Sequence, residues 1–364
     1  MLHKSLSLSH CMKATSIKAI LLVASLTLSS WGIAQTTGGP AIVYTARGLA
    51  KVIKGDSDGA IADFNTAIKL DPTLVKAYEG RGLVKRQKGD LNGAASDYNR
   101  ALQLDPKLAD AYDGRGLVKQ QKGDLDGAAS DYNRALELDP KLADAYAGRG
   151  DIKFIRDDRD GAIADYSRAL KFNPKLASIY CNRGVVKQRK GDVDGAIADY
   201  SQTLKLNPKF VHAYSSRGNA NFLAHNWTDA LRDYRLFCDS SKENQEYQRL
   251  FIWLIRSRLG ERQAANKELA AYFKAAPGSW ASKVAAYFLG SLSDVDLLAA
   301  AASRDPKTDR GQHCEAWFYV GMKRFLAGDK PGAADCFKKC LATEQEIFTE
   351  YQFAKAELKA LGHT

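Results

Sequence analysis

The stretch Gly80–Pro106, "GRGLVKRQKGDLNGAASDYNRALQLDP", returns 34 residues later as Gly114–Pro140, with only Arg86, Asn92 and Gln103 exchanged, for Gln120, Asp126 and Glu137. A reacting site is needed once, so a near-verbatim copy at fixed spacing reads as a structural unit built to stack. The period continues in both directions. Prolines recur at Pro72, Pro106, Pro140, Pro174 and Pro208, and tyrosines at Tyr44, Tyr78, Tyr112, Tyr146, Tyr180 and Tyr214. An Arg-Gly pair keeps the same step from Arg47-Gly48 to Arg217-Gly218. Six units therefore fill residues 41–244.

The unit Val75–Leu108 shows how one copy works. Ala77, Tyr78, Gly82 and Val84 predict a first helix, Gly89-Asp90 a turn, and Asn92 an N-cap. Ala94, Ala95, Tyr98, Ala101 and Leu102 fall at i, i+3/i+4, i+7 spacing and predict a second helix. Asp105-Pro106 ends it, because proline disfavours helix in the residue before it. Gly82 and Ala94 are small where the two backbones come close. One hairpin cannot bury its apolar face alone, so it stacks on its neighbours.

This pattern resembles the tetratricopeptide repeat, carried in the second unit by Tyr78, Gly82, Ala94, Tyr98, Ala101 and Pro106. The resemblance implies an all-α fold, a right-handed superhelical solenoid of antiparallel helix pairs, whose first helices line a concave face. The chain departs from the family by placing Lys85, Lys119, Lys153 and Lys187 where tyrosine is common, and an arginine before the glycine. Asp63, Asp97, Asp131, Asp165, Asp199 and Asp233 stand just before each second-helix aromatic, one for each repeated arginine. A structural ladder of exposed ion pairs is expected, each contributing roughly 0–1 kcal/mol.

The array decays rather than stops. Glu246–Ser279 keeps Gly260, Ala265, Leu269 and Pro277 at repeat positions, and Cys314–Ile347 keeps Trp317, Gly321, Gly328, Ala333 and Phe337. The intervening Trp280–His313 holds little consensus. "IFTEYQFAKAELKAL" reads as an amphipathic helix that caps the last repeat, so residues 245–364 form degenerate helical repeats with a C-terminal cap. "FIWLIRSRLG", "EAWFYVGMKRFLAGD" and "EYQFAKAEL" are similar to the C-terminal half of the outer-membrane tetratricopeptide lipoproteins that scaffold murein hydrolases and a periplasmic protease.

Lys13 and Lys18, the apolar run Ala19–Leu28, and Gly32 and Ala34 before Gln35 predict a signal peptide over residues 1–34. The run is short of the roughly 20 residues that span a bilayer, and no cysteine follows it to carry a lipid. Residues 35–40 read as a linker. Met12-Lys13 would itself begin a well-formed signal. Cleavage near Ala34 implies a secreted or periplasmic protein with no stable membrane anchor. It removes three lysines and no acid from a net charge of +11. The remaining basic charge is interspersed with acids, and export argues against nucleic acid as a partner.

No catalytic motif is present, and His212, His225, His313 and His363 lack ligand spacing; neither enzymatic activity, metal nor cofactor is expected. Of the cysteines, Cys336 and Cys340 share a helical face at i, i+4, as small core residues or a redox pair. No C-x-x-C occurs, so neither a disulfide framework nor a zinc site is indicated.

What varies between copies is the face of the first helices, implied by the family to bind extended peptide. Asp110, Asp113, Asp144, Asp151 and Phe154 line its middle, and Asn182, Arg189, Asn219 and Phe222 its far end. Gly80, Gly114 and Gly148 stand where the family's carboxylate clamp needs Lys or Asn, which excludes that use. The expected function is a non-catalytic scaffold binding other proteins in a bacterial envelope. Cell-wall enzymes and proteases are the partner classes the resemblance implies. The alternative is a self-assembling structural protein, a homo-oligomer.

Overall fold

The computed structural model describes residues 39–241, 245–274 and 278–363. The expected signal peptide, linker residues 35–38, the end of the sixth unit at 242–244 and Pro277 lie outside the described residues. Among the described residues there are nineteen α-helices and no strand. They divide into two compact units, residues up to 186 and residues from 187 onward.

In the first unit the helices alternate as the repeat predicts. They are α1 (Pro40–Ile53), α2 (Ser57–Leu70), α3 (Val75–Gln87), α4 (Leu91–Leu104), α5 (Ala109–Gln121), α6 (Leu125–Leu138), α7 (Ala143–Ile155) and α8 (Arg159–Phe172). Helix α9 (Ala177–Arg189) begins in this unit and ends in the next. Pro40, expected to close the linker, is instead the first residue of α1, where its missing N–H costs nothing.

In the first unit each second helix is capped by aspartate two residues before the position expected. Asp90, not Asn92, accepts from the Gly93 N–H, and Asp56, Asp124 and Asp158 do the same at their helices. Glycine follows three residues on because a Cβ at Gly93 would lie 2.1 Å from Asp90 Oδ2. The preceding turn requires a left-handed residue, Gly89 at φ 84°; Asp157 takes that conformation in the fourth repeat at φ 61°.

The Arg–Asp ladder exists, but its acids are buried rather than exposed. Arg81 donates through Nε and Nη2 to the two oxygens of Asp97 at 3.0 and 2.6 Å; Arg115–Asp131 and Arg149–Asp165 repeat this fork at 2.7–2.8 Å. Asp97, Asp131 and Asp165 are at most 4 % exposed. The anomalous lysines complete the site, as Lys51, Lys85, Lys119 and Lys153 each reach the same aspartate at 2.8–2.9 Å. Burial alone would raise the Asp165 carboxyl, but Arg149 and Lys153 outweigh it and hold it below its ordinary value. The third guanidinium nitrogen reaches back one repeat, from Arg81 to Asn65, Arg115 to Asn99 and Arg149 to Asn133. One arginine thus ties its own hairpin and the interface before it.

The second unit continues with α10 (Val193–Leu206), α11 (Val211–Leu223), α12 (Trp227–Ser240), α13 (Glu246–Arg258) and α14 (Arg262–Lys274). It ends with α15 (Trp280–Phe288), α16 (Asp294–Ala301), α17 (Pro306–Leu326), α18 (Lys330–Leu341) and α19 (Thr349–Ala360). In the sixth repeat Asn221 stands where earlier repeats have lysine and donates to Asp233 at 3.1 Å, beside the Arg217 fork. The middle of helix α13 is apolar around its whole circumference, with Leu250 to Ile255 all buried, as befits a segment packed on every side. The boundary expected at Cys314 falls inside α17, which starts eight residues earlier at Pro306.

The last helix does more than cap its neighbour. Besides α17 and α18, α19 packs on α11. Phe353 sits among Phe222, Phe251 and Phe318. Arg258 holds Glu357 at 2.7 Å while lying over the Trp227 and Phe325 rings.

Candidate functional site

The first helices α1, α3, α5 and α7 pack side by side, and the floor beneath them is built by the second-helix aromatics. A Cβ on Gly80 would meet Phe64 Cζ at 2.5 Å; on Gly114, Tyr98 Cζ at 2.5 Å; on Gly148, Tyr132 Cζ at 2.4 Å. Each ring therefore runs under the glycine of the next repeat and leaves no room for a Cβ there as it now sits; in the fifth repeat the same register holds Asn182. From the second repeat on the ring is tyrosine, and its hydroxyl emerges at the first-helix face. Tyr132 donates to Gln120 at 2.8 Å and Tyr166 to Asp151 at 2.6 Å.

The middle of this face is acidic. Asp110 is exposed, Asp113 and Asp144 are partly buried, and Asp151 is 7 % exposed. Burial first, then the negative charges of Asp144 and Asp110, pushes the Asp113 carboxyl well above the usual carboxylate range, with Arg86 offsetting part. Its Oδ1 is sealed from solvent and accepts no hydrogen bond from the described residues. Burial and then Asp110 raise Asp144 likewise. Burial pushes Asp151 up to about 6, against the opposing hydrogen bonds of Tyr166, Asn182 and Gln120. The Asn182 amide donates to Asp151 at 3.2 Å.

Several residues expected to look outward are buried. Asn182 is 1 % exposed and lies beneath the face with Asp151, and Phe154 is 6 % exposed. Side-by-side packing of first helices shuts these positions off, so Phe154 offers no open ring beside the acids. In the second unit Arg189 is exposed, and Asn219 is partly buried and accepts from Tyr234 at 2.7 Å. Phe222 is 1 % exposed because Phe353 of α19 stacks on it; the apolar contact expected at that end is filled by the chain itself.

Residues 48–85, 82–123, 116–154, 150–191 and 189–223 each match the tetratricopeptide repeat. Residues 48–223 form an array of tetratricopeptide repeats. Among solved tetratricopeptide structures, it is similar to pilF of Pseudomonas aeruginosa, with a TM-score of 0.51 at 21% identity over 57% of this chain and 95% of that one. It is also similar to a chain of the APC/C hetero-tetramer Cut9-Hcn1, with a TM-score of 0.56 at 19% identity over 63% of this chain and 45% of that one. PilW, a widely conserved type IV pilus biogenesis factor, aligns at 21% identity over 58% of this chain and 97% of that one, with a TM-score of 0.49. At these identities the likeness is one of fold.

A tetratricopeptide array is a protein-interaction scaffold, and the residues that sequence reasoning missed bear on that role. The repeat pattern calls only for an aromatic ring at Tyr132 and Tyr166, and their hydroxyl partners Gln120 and Asp151 go beyond it. The signal was the change from Phe64 in the first repeat to tyrosine in the next five: a hydroxyl added at a core position must find a partner.

Proposed function

We propose that the chain is a non-catalytic adaptor that holds a Lys- or Arg-bearing segment of another protein against the first-helix face of its second to fourth repeats. The observation that carries this reading is Asp113, whose Oδ1 is sealed and unpartnered while Asp110 and Asp144 press further negative charge upon it. Like charges gathered on one face of a basic protein cost stability, and a cationic side chain would reverse that cost. Asp110 lies in water, so its own ion pair contributes little and weakens as salt shortens the screening length to about 8 Å at 0.15 M.

The test is titration of a fluorescent Lys/Arg-bearing peptide against the chain and against the Asp110→Asn/Asp144→Asn variant. Neither residue belongs to the ladder and their repulsion is relieved, so helical content should stay the same and Tm should hold or rise while affinity falls at low salt. Equal affinity in the variant at low salt rejects the acidic face, and a defined oligomer formed without peptide favours self-assembly instead. The adaptor works in a bacterial envelope after export, a reading that rests on the apolar run Ala19–Leu28 and Gly32-Ile33-Ala34. Mass spectrometry of secreted or periplasmic material should find a new terminus near Gln35, and an intact Met1 or Met12 terminus in the membrane fraction would overturn it.

A further inference from the structure

Two helices of the second unit bring a pair of thiols together that the sequence separates by a helix and a turn. Cys314 of α17 and Cys340 of α18 place their Sγ atoms 3.5 Å apart, and both residues are fully buried. Cys336, one helical turn before Cys340, is the neighbour that spacing alone would choose. It is buried as well, and burial, only partly offset by the charges of Arg324 and Lys339, raises its thiol above the ordinary value.

We propose that Cys314 and Cys340 close into a disulfide that staples α17 to α18. A disulfide needs sulfurs about 2.05 Å apart, so side-chain rotation has only the remaining gap to close, with the two helices already packed together. The chemistry balances as thiol–disulfide exchange with a protein or small-molecule disulfide as oxidant. One Cys thiolate attacks the oxidant disulfide and expels a thiolate; the second attacks the resulting mixed disulfide and expels the other. The two cysteines lose two protons and two electrons, and the oxidant gains both electrons and becomes two thiols.

The order of folding follows from what covers the pair. Cys340 Sγ lies 4.0 Å from the Glu350 carbonyl of α19, so the last helix closes over the sulfurs. Exchange therefore takes place before α19 docks or when it lifts. The bond would hold the two helices on which α19 rests. Such bonds persist in oxidising compartments and not in the cytosol, and the inference stands apart from the acidic-face reading.

The test uses the full chain, reduced and unfolded, then refolded in a glutathione redox buffer and alkylated without reduction. Peptide mapping should recover Cys314 linked to Cys340 with the loss of two hydrogens, while Cys238 and Cys336 carry alkyl groups. The oxidised protein should melt roughly 5 °C above the same protein after reduction, and Cys314→Ala should remove that difference. Full alkylation of both Cys314 and Cys340 after refolding, or linkage of Cys340 to Cys336 or Cys238, would overturn the proposal.

Discussion

Phe222 and Phe353 stack with ring centroids 4.0 Å apart and planes 15° apart, joining the first helix of the sixth repeat to the last helix of the chain. Both are buried to 1 % exposure or less. Truncating Phe353 to alanine should therefore cost about 3–5 kcal/mol, the usual range for a large aromatic lost from a core. Hydrogen exchange should locate the loss, with amides of α11 exchanging faster while those of α3 keep their protection, because a repeat contacts only its neighbours. Unchanged exchange in α11 would mean that α19 is only a cap on α17 and α18.

The ladder makes a contrasting pair of predictions. Arg149→Ala leaves Asp165, at 0 % exposure, with Lys153 as its main remaining counter-charge, and should destabilise by about 3 kcal/mol. Arg134→Ala removes an exposed arginine from an exposed Glu137 at 2.8 Å and should shift stability by less than about 0.5 kcal/mol. Urea denaturation of both variants decides it. Comparable losses would return the ladder to the status of surface decoration.

Asp151 yields a pH dependence. Its folded carboxyl titrates near 6, above its ordinary value of 3.8. Between those values the folded protein holds a proton that the unfolded chain has released, so its contribution to stability falls as pH rises through that window. Asp151→Asn keeps an oxygen that can accept from Tyr166 and Asn182 without the buried charge. The variant should be the more stable at pH 7, by at most about 3 kcal/mol, and should lose that advantage near pH 4. Melting curves at the two values test the sign. A variant less stable at pH 7 would show that the ionised carboxylate is well solvated.

Deleting Ala109–Leu142, one whole repeat, should leave a folded protein. Arg149 would then reach back to Asn99 instead of Asn133, and Gly148 would receive the ring of Tyr98 in place of Tyr132; each partner is replaced by its own kind. Removing half that length leaves a first helix without its second. Circular dichroism and a cooperative melt should be kept by the first deletion and lost by the second.

The helix pairs were legible in the sequence because the period repeats the same residues at the same offsets, and Asp97 could be matched to Arg81 on spacing alone. What periodicity does not report is what closes over a position. Asn182 and Phe154 fall at first-helix positions read as outward, yet neighbouring first helices bury them. The Phe222 ring was read as open for the same reason, since nothing local announces that a helix beginning at Thr349 returns to it. Lys85 was visible only as a departure from the family; paired with Asp97 and Arg81, it becomes the second cation of a buried site. The cap was misread at Asn92 although Asp90, three residues before Gly93, carried the better signal.

The return of α19 to α11 also sets how such a protein can change length. With the sixth repeat already covered by the chain's own end, a hairpin added there would have to displace a finished core before it found anything to stack on. A hairpin inserted between two existing ones meets ready-made surfaces on both sides, and residues 80–106 and 114–140, identical but for Arg86, Asn92 and Gln103, show how little such a seam requires.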